Sequence, residues 1–174
     1  PDEEPPNLSF IDVNDPSWDR HALSIPRQNQ WREKLVEADR IASSVLNIIK
    51  VAKPKVWFIE NPHTMLYKRN FMQNISHLIN RCTYCKYGFL YKKDTDIWSN
   101  ISLQLNHCDI AACRARAALG RHELTAQQSV SGLHQTPGVP KHVANFIPPQ
   151  LLRVLINAAI EYIKAHVNER ITWK

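Results

Sequence analysis

From Gln28 to Val51 the apolar residues Trp31, Leu35, Ala38, Ala42, Val45 and Ile49, with Ile41 and Leu46 beside them, recur at steps of three and four. That spacing places them on one face of an α-helix. Glu33, Lys34, Glu37, Asp39 and Arg40 fall largely on the opposite, wet side. Lys53-Pro54-Lys55 stops the helix, because the residue before a proline is pushed out of helical geometry. Val56-Trp57-Phe58-Ile59 follows as an unbroken apolar run of strand-favouring residues. Such a run predicts a strand buried on both faces, as in a parallel sheet. Helix, short loop and buried strand make half of a β-α-β unit, so the pattern predicts an α/β fold.

Further along, Asn70 is placed to cap a short helix over Phe71 to Ile79. Two more strand-like stretches lie in 81–90, around Thr83-Tyr84-Cys85, and in 95–105, around Ile97-Trp98-Ser99-Asn100-Ile101; they read as late strands of the same sheet. Residues 106–147 mix Cys, His, Arg, Gln and most of the glycines without periodicity and read as an irregular insertion. Pro148-Pro149 opens a last helix with an apolar stripe of Leu152, Leu155, Ile156, Ala159, Ile160, Ile163 and Val167. Residues 1–27 hold five of the 11 prolines and little apolar pattern, and read as an irregular arm. The organisation expected is therefore an arm over 1–27 and one domain over 28–174 that contains the insertion 106–147.

Composition narrows the function classes. A 44% hydrophobic and 22% charged chain of 174 residues is that of an ordinary globular domain with a packed core. No apolar run reaches the roughly 18 residues of a membrane span, and the start Pro1-Asp2-Glu3-Glu4-Pro5-Pro6 is unlike a signal peptide, so a soluble, intracellular protein of nucleus or cytoplasm is expected, with no membrane partner. Glycine occurs only at 88, 120, 132 and 138, spacings that make neither a dinucleotide nor a P-loop phosphate cradle.

In open α/β sheets ligands bind beyond the carboxyl ends of the strands, which draws attention to Glu60-Asn61-Pro62 after the apolar run. A carboxylate there is placed to act as a proton donor, and Asn61 offers both an amide donor and an acceptor; the alternative is that both residues only satisfy loop backbone. Taken together, Lys53-Pro54-Lys55-Val56-Trp57-Phe58-Ile59-Glu60-Asn61-Pro62, Ala38-Asp39 before it, and Tyr84-Cys85-Lys86-Tyr87-Gly88 and Thr95-Asp96-Ile97-Trp98-Ser99-Asn100 after it resemble the second half of cytosine-C5 DNA methyltransferases. The likeness is to the divergent, phage-type branch and runs from about Ser24 to Ala165. It implies a partial Rossmann-like, S-adenosylmethionine-dependent methyltransferase fold carrying an irregular Cys/His-containing insertion, with DNA as partner. It also implies that Glu60, with Asn61, binds N3 and the exocyclic amine of a flipped-out cytosine while a cysteine attacks C6, a combination of acid assistance and covalent catalysis.

The chain departs from that family at the nucleophile. No cysteine precedes Cys82, no Pro-Cys dipeptide occurs, and aligning Ser24-Ile25-Pro26-Arg27 with the segment after the nucleophile loop puts Arg20 at the nucleophile position. The cofactor loop has no counterpart either. The expectation is a chain that holds the later part of a DNA cytosine methyltransferase and does not methylate alone, as a fragment or remnant or with a complementary chain supplying the other half. The alternative is a catalytically dead DNA-binding or scaffold module. Amino-group methyltransferases are disfavoured, since Asp15-Pro16-Ser17-Trp18 lacks the second proline of their motif.

Four cysteines, at 82, 85, 108 and 113, accompany His122. Cys82 and Cys85 have metal-like spacing, but on a strand residues three apart face opposite ways. The set read as candidate zinc ligands is therefore Cys85, Cys108, Cys113 and His122, with His107 as an alternate; buried thiols acting as small hydrophobes are the competing explanation. The resemblance supports the metal, as the phage-type branch shows a similar Cys, Cys, His order after the Trp-Ser-Asn strand. A net charge of +6, with Lys68, Arg69, Arg81 and Lys86 chief among basic residues near the expected sheet edge and Lys92, Lys93, Arg114, Arg116 and Arg121 further along, suits phosphate contacts. From charge alone a solvated basic surface is the simpler reading. His63, Thr64 and Tyr67 are candidates to line a base pocket, and Trp57 and Trp98 read as core.

Overall fold

A computed structural model describes residues 25–109, 113, 122, 124–126 and 138–166. The arm up to Ser24, with Arg20, and Arg114, Arg116 and Arg121 lie outside the described residues. The chain divides after Lys53 into two units, Pro1–Lys53 and Pro54–Lys174.

In the first unit the predicted helix is present as α1, Ile25–Ala52. It starts three residues earlier than the apolar pattern indicates, with Pro26 in the first turn, where a missing N–H costs nothing. It ends where expected. The Lys53 N–H still bonds Ile49 O at 2.9 Å, and Lys53 then turns to a φ of 44° ahead of Pro54. A left-handed lysine is unusual, and the proline after it cannot continue the helical ladder.

The second unit is built on a three-stranded sheet of β1 (Phe58–Pro62), β2 (Ile79–Thr83) and β4 (Asp94–Ser99), in the order β1-β4-β2. Each of the three strand-like stretches of the sequence overlaps one of these strands, but the second does so only over Arg81–Thr83, because Tyr84 and Cys85 lie in a turn. The pairings of the sheet are antiparallel, Glu60 facing Ile97 and Arg81 facing Asp96, rather than parallel as the apolar run suggested. The run itself lies mostly ahead of the strand. At Trp57 the sheet ladder is continued by a side chain: the Asn100 amide accepts from Trp57 N at 3.0 Å and donates to Lys55 O at 2.8 Å. Between β1 and β2 lie the short helix α2 (Asn70–Gln73), capped by Arg69 rather than Asn70 and ending well short of the expected Ile79, and a 3-10 turn at Ser76–Leu78.

After β2 a 3-10 turn, Tyr84–Tyr87, closes on Gly88. Gly88 has a φ of 95°, and a Cβ there would meet the Gln150 side chain at 3.2 Å, so both its conformation and its close neighbour call for glycine. A two-residue strand β3 (Tyr91–Lys92) pairs in parallel with β5 (Leu124–Thr125). The described parts of 106–147 are otherwise irregular, as expected, up to the single turn α3 (Lys141–Ala144).

Helix α4, Pro149–Ala165, has proline in its first turn as predicted. It buries Leu151 and Leu155 in a core with Cys82, Tyr84, Tyr87, Tyr91, Ile97, Ile101 and Leu103, against which Ala158 and Tyr162 also pack. That face shares Leu155 with the expected stripe, of which Leu152, Ile156, Ile160 and Ile163 are instead exposed. By length and composition the stretch His142–Ala165 would suffice to cross a membrane. It is, however, interrupted by 145–148 between α3 and α4, and one side of α4 is part of the core. Trp98 is fully buried, as its place in an apolar strand implies, whereas Trp57 is half-buried.

Candidate functional site

Alternation along the strands sorts the chemistry of the sheet onto its two faces, because cross-strand partners share a face and consecutive residues do not. Phe58, Glu60 and Pro62 of β1 share one with Thr95, Ile97 and Ser99 of β4 and with Asn80 and Cys82 of β2. Asn61 lies on the other, with Asp96, Trp98 and Arg81. Glu60 and Asn61 therefore do not converge on one ligand from the same side of the sheet. The Asn61 amide donates instead to Pro62 O at 2.7 Å.

On the Glu60 face the carboxylate meets two groups that sequence reasoning did not assign to it. The Tyr84 hydroxyl donates to Glu60 Oε1 at 2.8 Å, and Lys93 Nζ stands 3.6 Å from the same oxygen. Lys93 is turned inward, its side chain 10% exposed, with Nζ donating to Ala144 O at 3.0 Å and lying 4.6 Å from the Tyr84 ring centroid. It is thus withdrawn from the basic surface. Lys93 has the strand parity of Thr95 and Ile97, which share the face of Glu60, but both parities of β4 are buried, so burial gave no signal for it. Burial, then the charge and hydrogen bond of Glu60, hold the Tyr84 hydroxyl protonated far above its ordinary range, so it is a permanent donor to Glu60. Cys82, on this same face, is fully buried, and its thiol is pushed up to about 12 by burial and then by the charges of Glu60, Asp96 and Asp94.

The four candidate metal ligands do converge. Cys85 Sγ, Cys108 Sγ, Cys113 Sγ and a His122 ring nitrogen all lie within 4.8 Å of one another. His122 Nε2 is 3.6 Å from Cys108 Sγ and 3.2 Å from Cys113 Sγ. Tetrahedral zinc, with Zn–S of about 2.3 Å and Zn–N of about 2.0 Å, has S···N edges of roughly 3.5 Å, so the spacing fits. Each ligand has a structural reason for its place. Cys85 is carried by the 3-10 turn after β2, not by a strand as the sequence suggested. Cys108 is anchored because its N–H donates to Thr83 Oγ1 at 3.1 Å while Thr83 N bonds Asn106 O. His122 lies two residues before β5, whose pairing with β3 fixes the approach.

Burial, followed by hydrogen bonding to Cys108 and Cys113, pushes the Cys85 thiol well above its ordinary value, and burial does the same to Cys108. Burial and the charges of Lys92 and Lys86 lower His122, keeping its ring neutral and fit to coordinate. Packed thiols oppose one another's ionisation, whereas a divalent ion among them would deprotonate them outright. His107, the alternate, is turned elsewhere, with Nε2 3.3 Å from Asp94 Oδ1. No disulfide joins the cysteines. Four protein donors would give a bound ion the closed coordination of a structural rather than a catalytic site.

The basic residues are dispersed. Lys86 is in the Cys85 turn beside the candidate metal ligands; Lys92 pairs with Asp94 at 3.0 Å. Lys68 is exposed at the end of a 3-10 turn, Leu66–Lys68, with Nζ 5.7 Å from the Tyr67 ring centroid, and Arg69 links that turn to α2. Arg81 stands on the face away from Glu60. His63 and Tyr67, candidates for a base pocket, are stacked on each other at 4.8 Å.

No family model matches this chain, and no curated protein and no solved structure matches it either.

Proposed function

We propose that the chain is the later part of a Rossmann-like, cytosine-C5 DNA methyltransferase domain that receives a flipped-out cytosine at Glu60 and closes its Cys/His lobe on zinc. The observation that carries this is the setting of Glu60 in the middle of β1, with two donors on one oxygen of its carboxylate. Both contacts of its carboxylate among the described residues, Tyr84 and Lys93, fall on Oε1, so Oε2 is the oxygen offered to a base. An open Oε2 can meet N3 of cytosine, which is part of the role that the sequence resemblance assigns to Glu60.

The described residues do not form a cradle for S-adenosylmethionine; Gly88, the nearest approach to a loop glycine, is occupied by Gln150. No step of methyl transfer is therefore assigned to them, and cofactor binding is left to other residues or to a complementary chain. A second reading, a DNA-binding or scaffold module without catalysis, is favoured by Cys82: the thiol on the Glu60 face is too buried and too basic to serve as nucleophile.

Proteins that extrude a base bind more tightly where that base is already unpaired, since a few kcal/mol of unstacking is saved. A duplex with one mismatched cytosine should thus bind about tenfold better than its matched counterpart, by fluorescence anisotropy. Glu60→Gln should abolish the preference and keep salt-sensitive binding. Equal affinity of the unaltered protein for both duplexes, with salt sensitivity retained, would establish the module instead.

A further inference from the structure

Asp96 is 1% exposed on the central strand, and the Glu60 site makes no use of it. Its oxygens are divided between two partners. Arg81 Nε donates to Oδ1 at 3.1 Å, and His63 Nδ1 donates to Oδ2 at 2.8 Å. A buried carboxylate is costly unless paired, and here the pairing is made by side chains that stay partly in water, Arg81 at 45% and His63 at 27% exposed. Because Arg81 uses Nε inward, its two Nη groups remain as a planar fork of the kind that matches phosphate oxygens. His63, held through Nδ1, stacks on Tyr67 with 16° between the rings, and Lys68 Nζ lies by Tyr67. Arg81, Asp96, His63, Tyr67 and Lys68 thus form one connected strip that begins on the sheet face opposite Glu60.

We propose that this strip is a track for the phosphodiester backbone of a nucleic acid. Arg81 takes phosphate oxygens through its Nη fork, Lys68 supplies a second positive charge, and the His63–Tyr67 stack forms the flat surface between them. Asp96 is a positioning residue: it touches no phosphate and fixes the direction of Arg81 and His63. The inference rests on the DNA-binding part of the function proposed above and is independent of methyl transfer.

Charge and orientation make opposite predictions at Asp96, which gives the test. Affinity for a duplex of fixed sequence is measured by anisotropy across a salt series for the unaltered protein and for R81Q, R81K, D96N and, as a control distant in sequence, K164Q on α4, with circular dichroism checking each fold. If the strip binds phosphate, R81Q lowers the slope of log affinity against log salt by about one. R81K, which keeps the charge without the fork, then fails to restore binding. D96N weakens binding severalfold although it removes a negative charge. Tighter binding by D96N, full binding by R81K, or equal losses in R81Q and K164Q would overturn the track; should D96N not fold, R81K decides. A failed track with salt-sensitive binding intact would leave the cytosine preference of Glu60 standing, so the two proposals fail separately.

Discussion

Asp94 sits where strand, turn and lobe meet. Burial alone would raise its carboxyl, but hydrogen bonds from Lys92 and Thr83 and the charges of Lys92 and His107 more than offset this and hold it below the ordinary carboxylate value. Between that depressed value and the unfolded one, near 3.9, the unfolded chain binds more protons, so the contribution of Asp94 is complete above about pH 4 and is lost as pH falls through the folded value. Asp94→Asn should therefore cost about 1 kcal/mol at pH 7, and the melting curves of variant and parent should converge as pH falls toward 3; a constant gap would refute the linkage. At this scale the sequence selected Cys85, Cys108, Cys113 and His122, which the fold gathers, although the strand alternation used to part Cys82 from Cys85 does not hold, since Cys85 lies in a 3-10 turn. The sequence did not reveal that Glu60 and Asn61 face opposite ways, because the strand was placed two residues too early, nor that Tyr84 and Lys93 turn inward to Glu60.

Helix α4 shows how an element can be legible while its register is not. Its limits follow from Pro148-Pro149, but apolar residues cover well over half of its circumference, so no single stripe stands out and tertiary partners choose the buried side. They choose Leu151 and Leu155, leaving Leu152 and Ile156 in solvent. Leu155→Ala should cost roughly 2 to 4 kcal/mol in urea unfolding, whereas Ile156→Ala should change stability by no more than about 0.5 kcal/mol. A reversed order of effects would show that the other face is covered in solution. The antiparallel sheet was hidden for a related reason. An apolar run cannot reveal strand direction, and here much of the run precedes β1, held by the side chain of Asn100.

For the molecule as a whole, zinc is the simplest quantity to test. Protein purified without chelator should carry one zinc ion per chain, and Cys113→Ser should fall well below that. Removing the ion should lower the melting temperature by clearly more than the roughly 4 °C that 1 kcal/mol represents in a chain of this size. Zinc below stoichiometry in the unaltered protein would leave the four ligands as buried thiols and an imidazole. Net charge, by contrast, said little about function at this scale, since it does not reveal that Lys92 is paired and Lys93 withdrawn.

The position of the metal ligands along the chain also bears on how the second unit assembles. The β1–β4 pairing, centred on Glu60 and Ile97, and the approach of Cys85 to His122 both span 37 residues, whereas the β2–β4 pairs lie only 11 to 19 residues apart. Loop-closure entropy is therefore lowest for β2 with β4, and comparable for adding β1 and for closing the lobe. The Thr83–Cys108 hydrogen bond ties the lobe to that most local pair of strands.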